Sequence, residues 1–161
     1  MTEFMLREKH DGDLADRLDI RLWLRLLSCT MTIEKRVQRG LAERFGTTLP
    51  RFDILATLDR AGAPVRMSDL SRALLVSNGN VTALVRALER DGLVTVAPAP
   101  DDRRSTLVAL TAEGERQFKR AADAHHGWVE DMLGGLSRAE RQQLFELLGV
   151  LKTSIARSEA A

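Results

Sequence analysis

The side chains here that could do covalent or metal chemistry are few and badly placed for it. Cys29 is the single cysteine, so neither an internal disulfide nor a thiolate metal cage can form. His125 and His126 are adjacent, which on a helix turns them to different sides and away from a shared ion. His10 stands alone near the start. A glycine-rich phosphate loop and a convincing nucleophile–base pair are both missing from the sequence. The expectation is therefore a protein that is not an enzyme and needs no metal and no cofactor.

What the sequence spaces regularly is arginine among small and polar residues. Val81, Leu84, Val85 and Leu88 fall at i, i+3, i+4 and i+7, one apolar face of a helix. The opposite face carries Gly79, Thr82, Ala83, Arg86 and Arg90. Gly79 and Ala83 allow close approach to a groove, Arg86 can bond guanine, and Ala83 or the Thr82 methyl can touch a thymine methyl. Ser77, Asn78 and Asn80 lie in the first turn, where side chains and free backbone N–H groups suit phosphates or base edges. Ser68, at the start of the preceding helix, joins this polar set. Taken alone, such a face equally describes an ordinary half-buried surface helix.

A second cluster, Asp101-Asp102-Arg103-Arg104-Ser105, shifts the balance. Adjacent arginines on a projecting turn can enter a minor groove or clasp phosphates. One arginine is expected to pair with Asp102 and fix the turn while the other reaches DNA. The partner so indicated is double-stranded DNA, although 24 basic against 23 acidic residues leave a net charge of only +1. The argument rests on where charge sits and not on its sum.

These residues need elements to hold them. The chain has 161 residues, 44% of them hydrophobic, enough for one domain with a real core. Residues 1–12 are expected to be a flexible tail without the apolar stretch of a signal peptide. Apolar spacing predicts a long helix from Asp13 to Phe45, ended by Gly46. So long a helix in so short a chain suits packing against another subunit. Pro50 opens a second helix that Gly62 and Pro64 close. A third covers Ser68–Leu75. Ser77 is a good N-cap for a fourth, Asn78–Asp91, which Gly92 ends. Leu93–Val96 and Thr106–Leu110 form a hairpin with 97–104 as its tip. Thr111 caps a fifth helix, Ala112–Leu133. The capping box Ser137-Arg138-Ala139-Glu140 starts a sixth, which runs to about Arg157 with Leu144, Leu147, Leu148, Leu151 and Ile155 on one face. The fold class is mainly α with a small β-hairpin wing, a winged helix-turn-helix. Its regions are an N-terminal helix over 13–48, a DNA-binding region over 49–111 and C-terminal helices over 112–161, in one intertwined domain. The apolar runs are too short to span a membrane, and the lone thiol suits a reducing cytoplasm.

The stretch from Asp102 to Gly114, D-R-R-S-T-L-V-A-L-T-A-E-G, resembles the wing signature of the MarR family of bacterial regulators. The stretch from Met67 to Val94 resembles that family's helix-turn-helix, and the likeness covers about Leu18 to Lys152. The resemblance implies a homodimer whose N- and C-terminal helices entwine, and a pseudo-palindromic operator with half-sites about one helical turn apart, ~34 Å. It makes Ser77, Asn78, Asn80, Thr82 and Arg86 recognition-helix contacts and Arg103 and Arg104 wing contacts. It also implies a repressor released by a small ligand.

Family members commonly hold anionic aromatic or lipophilic ligands in a cleft between the dimerisation and DNA-binding regions. Candidate lining residues here are Trp23, Arg36, Arg39, Phe52 and Trp128. Trp23 and Phe52 equally fit a core, and the arginines equally fit ion pairs with Glu34 or Glu43. The stretches 30–36, 48–53 and 76–81 are similar to the branch controlling catabolism of aromatic acids through their CoA thioesters, so such an acid or thioester is the expected effector. One alternative is redox sensing through Cys29. The absence of any tyrosine and of a basic residue within three positions argues against it, and burial of Cys29 is expected. Another is an interaction protein on the same scaffold that does not bind DNA, which the arginines of the fourth helix and the tip disfavour.

Overall fold

The computed structural model describes residues 17–74, 78–100, 102 and 104–158. The expected tail over 1–12, the helical start over 13–16 and the capping Ser77 lie outside them. The chain divides into two compact units, one ending at His125 and one beginning at His126.

In the first unit, helix α1 (Leu18–Phe45) stops where Gly46 turns left-handed at φ 60° and its N–H bonds the Ala42 carbonyl, a conformation glycine adopts without steric cost. Helix α2 (Leu49–Ala61) carries Pro50 in its first turn. Its first N–H donates to Gln38 Oε1 at 2.8 Å, so α1 supplies the cap that Thr48 does not. Strand β1 (Val65–Arg66) leads directly into α3 (Met67–Ala73). Helix α4 (Asn78–Arg90) follows, then β2 (Val94–Pro98) and β3 (Thr106–Leu110).

The wing is a three-stranded antiparallel sheet in the order β1-β3-β2, with Val65 opposite Val108 and Val96 opposite Val108 from the other side. The sequence predicts only a hairpin, because two residues are too few for β1 to show alternation. Strand β2 also runs beyond the expected Val96 to Pro98, which an edge strand tolerates. The third helix ends earlier than expected, at Ala73.

The core lies where α1 to α4 meet the sheet. Leu41, Ile54, Leu70, Val81, Val85, Leu88 and Val108 are fully buried, one or more from each of these helices and from β3. Phe52 of α2 stacks on His125 at 5.0 Å and meets Phe118 at 5.5 Å, fixing α2 against helix α5 (Ala112–Leu133).

At the end of α4, Gly92 is left-handed at φ 72°, and the Leu93 N–H bonds the Leu88 carbonyl at 2.9 Å. The Thr111 hydroxyl donates to the Gly92 carbonyl at 2.7 Å and accepts from the Gly114 N–H at 3.0 Å, so the expected cap of α5 also grips α4. Gly114 is fully packed: a Cβ there would lie 2.0 Å from the Leu93 carbonyl oxygen.

In the second unit, α6 (Arg138–Ser158) opens on the expected capping box. The Ser137 N–H bonds Glu140 Oε2 at 2.7 Å, and the Glu140 N–H bonds Ser137 Oγ at 3.3 Å. The serine bonds hold the Glu140 carboxyl below its usual range. The apolar stripe of α6 exists, yet none of its residues is buried among those described. No described helix is long and apolar enough to cross a membrane.

Gly114→Ala must displace backbone, since the obstructing atom is a carbonyl. Overpacking of this kind costs about 1–3 kcal/mol or more. A urea melt of the variant is expected to show a clearly lowered midpoint; an unchanged midpoint refutes the packing described at this glycine.

Candidate nucleic-acid interface

Helix α4 forms with the two faces its spacing predicts. Val81, Val85 and Leu88 are buried and Leu84 is half-buried, while Asn80, Thr82, Ala83, Arg86 and Arg90 are exposed. Between α4 and the wing lies an open hollow of about 670 Å³. Ser68, Thr82, Arg86, Asp102, Arg104 and Ser105 all line it, so residues up to 37 positions apart in sequence converge there. Asn78 supplies the first residue of α4. Ser77 and Arg103 lie outside the described residues.

The wing turn is held by backbone bonds, while Arg103, the other arginine expected to be able to pair with Asp102, lies outside the described residues. Asp102 Oδ1 accepts the backbone N–H of Arg104 at 2.9 Å and does not take that residue's guanidinium. The Ser105 N–H bonds the Asp102 carbonyl at 2.9 Å, and the Ala99 N–H bonds the Ser105 carbonyl at 2.8 Å. An aspartate bonding the backbone two residues on is a standard turn device. It leaves the Arg104 guanidinium, like that of Arg86, without a partner among the described residues.

Sequence reasoning missed two members of this region. Arg66, on β1, donates from Nη1 to Ser105 Oγ at 2.8 Å; no local pattern announces a bond across so much chain. Glu89 also lines the hollow, and its spacing of three from Arg86 and seven from Thr82 could have revealed it.

The expected effector residues do not gather around one cavity in the first unit. Trp23 is 58% exposed and not core. Arg36 and Arg39 are exposed as well, but they lie ~20 Å or more along α1 from Trp23 and face another side. Phe52 is buried, and half-buried Trp128 belongs to the second unit. Cys29 is exposed, against the expectation of burial. A cavity of about 270 Å³ does exist beside Phe52, lined by Arg44, Phe45, Thr47, Gln117 and Arg120 among others. Spacing could not have found it, since α1, α2 and α5 each supply only part.

Next to Phe52 in the chain stands Asp53, whose carboxyl is raised above its usual range. Partial burial is the main cause; His125 draws the value down and Glu34 pushes it up. No group of three or more His, Cys, Asp or Glu able to hold a metal occurs among the described residues.

A helix with an exposed basic face beside an arginine-bearing three-stranded wing defines a winged helix-turn-helix DNA-binding regulator. Residues 45–105 match the model of the MarR family. The chain is 38% identical over 144 residues to the HTH-type transcriptional regulator PecS of Dickeya dadantii, covering 88% of this chain and 84% of that one. It is 37% identical over 129 residues to the transcriptional activatory protein BadR of Rhodopseudomonas palustris, covering 78% and 73%. Its fold matches Sco3205, a MarR family regulator of Streptomyces coelicolor solved in complex with DNA, with TM-score 0.77, 21% identity and coverage of 91% and 92%. The chain belongs to the MarR family, and it is a transcriptional regulator and not an enzyme.

Two measurements probe the site. Arg86→Ala is expected to relax sequence preference, with a loss of roughly 1–3 kcal/mol at one base pair. Arg104→Ala should instead weaken all sequences alike and lower the salt slope by about 1. Unchanged discrimination in the Arg86 variant, measured by competition between operator and mutated sites, refutes the groove assignment.

The second measurement is of pH dependence. An acid whose folded pKa is raised binds its proton more tightly when folded, so its stabilisation is present below the usual value and lost as pH rises through the raised one. Asp53→Asn should therefore be more stable than wild type at pH 7. The gap should close as pH falls below ~3.9, and urea midpoints across that range check both points.

Proposed function

We propose that the chain acts in the cytoplasm as a homodimeric repressor of a pseudo-palindromic operator and is released by a small aromatic acid or an acyl-CoA-type ligand. The observation that carries the DNA reading is the convergence of Arg86 and Arg104 on one hollow between α4 and the wing. Both are without partners among the described residues and face a space open to a ligand of opposite charge. Thr82, Ala83 and Asn80 on the same exposed face supply the small and polar contacts of base readout. Ser68, Ser77, Asn78, Arg103 and Ser105 complete the proposed contact set.

Dimerisation is supported by apolar surface. In α6, Phe145 is 75% and Val150 68% exposed, and Leu147 is more than half exposed; in α1, Leu18, Leu22 and Trp23 are exposed too. Several large apolar side chains exposed on each of these helices mark an interface. A two-fold dimer then presents two copies of α4 to successive major-groove faces.

The effector reading is supported by the 270 Å³ cavity, where Arg44 and Arg120 border a floor that includes Phe45, Phe52 and Leu55. That combination suits a carboxylate on an aromatic body.

Fluorescence anisotropy with DNA from upstream of the protein's own gene tests this reading. Specific binding is expected, with log affinity falling against log salt by about 0.9 for each phosphate neutralised. Sedimentation should give a dimer, and benzoate or benzoyl-CoA should raise the melting temperature and release the DNA. A monomer, or binding indifferent to salt, overturns it.

A further inference from the structure

The wing signature continues past the wing into Thr111 and Gly114, and DNA contact gives those residues no task. Their surroundings do. Three independent restraints meet at the C-terminal end of α4. Thr111 Oγ1 donates to the Gly92 carbonyl. Gly114 packs so closely under the Leu93 carbonyl that any side chain would collide. From the opposite direction, Arg51 of α2 reaches across 40 residues to pair with Asp91. Arg51 is oddly chosen for stability alone. Its side chain is only 22% exposed, and its buried Nε has no hydrogen-bond partner among the described residues. A buried donor left unsatisfied opposes folding, and the pair it serves is partly exposed, which limits what it returns.

We propose that Arg51 and Thr111 are positioning residues for operator discrimination: they fix the direction in which α4 presents Arg86. The lever is short. Arg86 lies five residues before Asp91, about 7.5 Å along the helix. A tilt at the Gly92 end therefore moves the guanidinium by a distance comparable to the ~0.5 Å tolerance of a preorganised contact. Phosphate contacts are point-charge attractions and tolerate such movement; a bidentate contact to a guanine edge does not. The joint thus acts on sequence choice more than on affinity for DNA in general. This inference rests on the reading of α4 as the groove-facing helix.

Arg51→Met separates positioning from folding. It removes the unsatisfied Nε and leaves Asp91, which is 52% exposed on its side chain, in water. Its melting temperature is expected to equal or exceed that of wild type, while the ratio of operator to non-specific affinity falls roughly five- to tenfold, the equivalent of one lost hydrogen bond. Thr111→Val should lose discrimination similarly, and Thr111→Ser should restore it. Ile54→Val, which trims a fully buried core side chain away from both surfaces, serves as control: it should lower the melting temperature without changing the ratio.

The inference is overturned if Arg51→Met and Thr111→Val keep the wild-type ratio, or if Ile54→Val lowers the ratio as much as they do. If wild type binds DNA with no preference for its operator, the DNA reading itself fails and this inference falls with it. A wild type that discriminates beside variants that also discriminate refutes the positioning role alone.

Discussion

Val81, Val85 and Leu88 are wholly buried in the middle of the first unit, and the rest of that unit depends on their burial. A 13-residue helix is marginal in water by itself, and most of its stability must come from packing one face. Helices α2 and α3 and the sheet provide that packing. Once the three side chains are fixed inward, the 3.6-residue period leaves Thr82, Ala83 and Arg86 no direction but outward. The exposed surface proposed to face DNA is in this sense a by-product of the core: the chemistry of the outer face is free to vary while the inner face holds the helix in place.

The charge economy follows from the same arrangement. A chain of net charge +1 attracts DNA only if its positive groups are not consumed by its own carboxylates. Three arginines elsewhere are consumed in this way. Arg72 pairs with Asp69, Arg116 with Glu113 and Arg51 with Asp91. At the wing the nearby aspartate is kept busy differently, since Asp102 caps the turn through the backbone N–H of Arg104. The Arg104 guanidinium is left without a partner among the described residues, free for the DNA contact proposed for it.

Most of the first unit was legible because it is written in local periods and caps. The apolar face of α4, the glycines at 46, 62 and 92, the Thr111 cap and the Ser137–Glu140 box all follow from residues within one or two turns of each other. What escaped is non-local. Strand β1 is two residues long and exists only because Val65 and Arg66 find β3. The bonds from Arg66 to Ser105, from Leu49 to Gln38 and from Arg51 to Asp91 join separate elements, and no periodicity encodes them. The 270 Å³ cavity beside Phe52 is non-local in the same way, since α1, α2 and α5 each supply only part of its lining. Cys29 is exposed because it lies off the α1 stripe that buries Val37 and Leu41.

The two units differ in how completely they satisfy themselves. The first closes a core around seven fully buried side chains. The second has a well-capped helix whose Leu144, Leu147 and Leu148 stay exposed. Capping and propensity can hold such a helix only weakly, and an apolar stripe of this extent opposes solubility unless something covers it. The proposed dimer resolves both difficulties at once, because two copies of one amphipathic face are self-complementary about a two-fold axis. It also makes the assembly and the DNA-binding unit physically separable. The first unit holds its own core, so loss of partner contact should disperse the dimer before it unfolds the reader. On the proposed two-reader operator, affinity is then governed by apolar burial in α6 as much as by the arginines proposed to contact DNA.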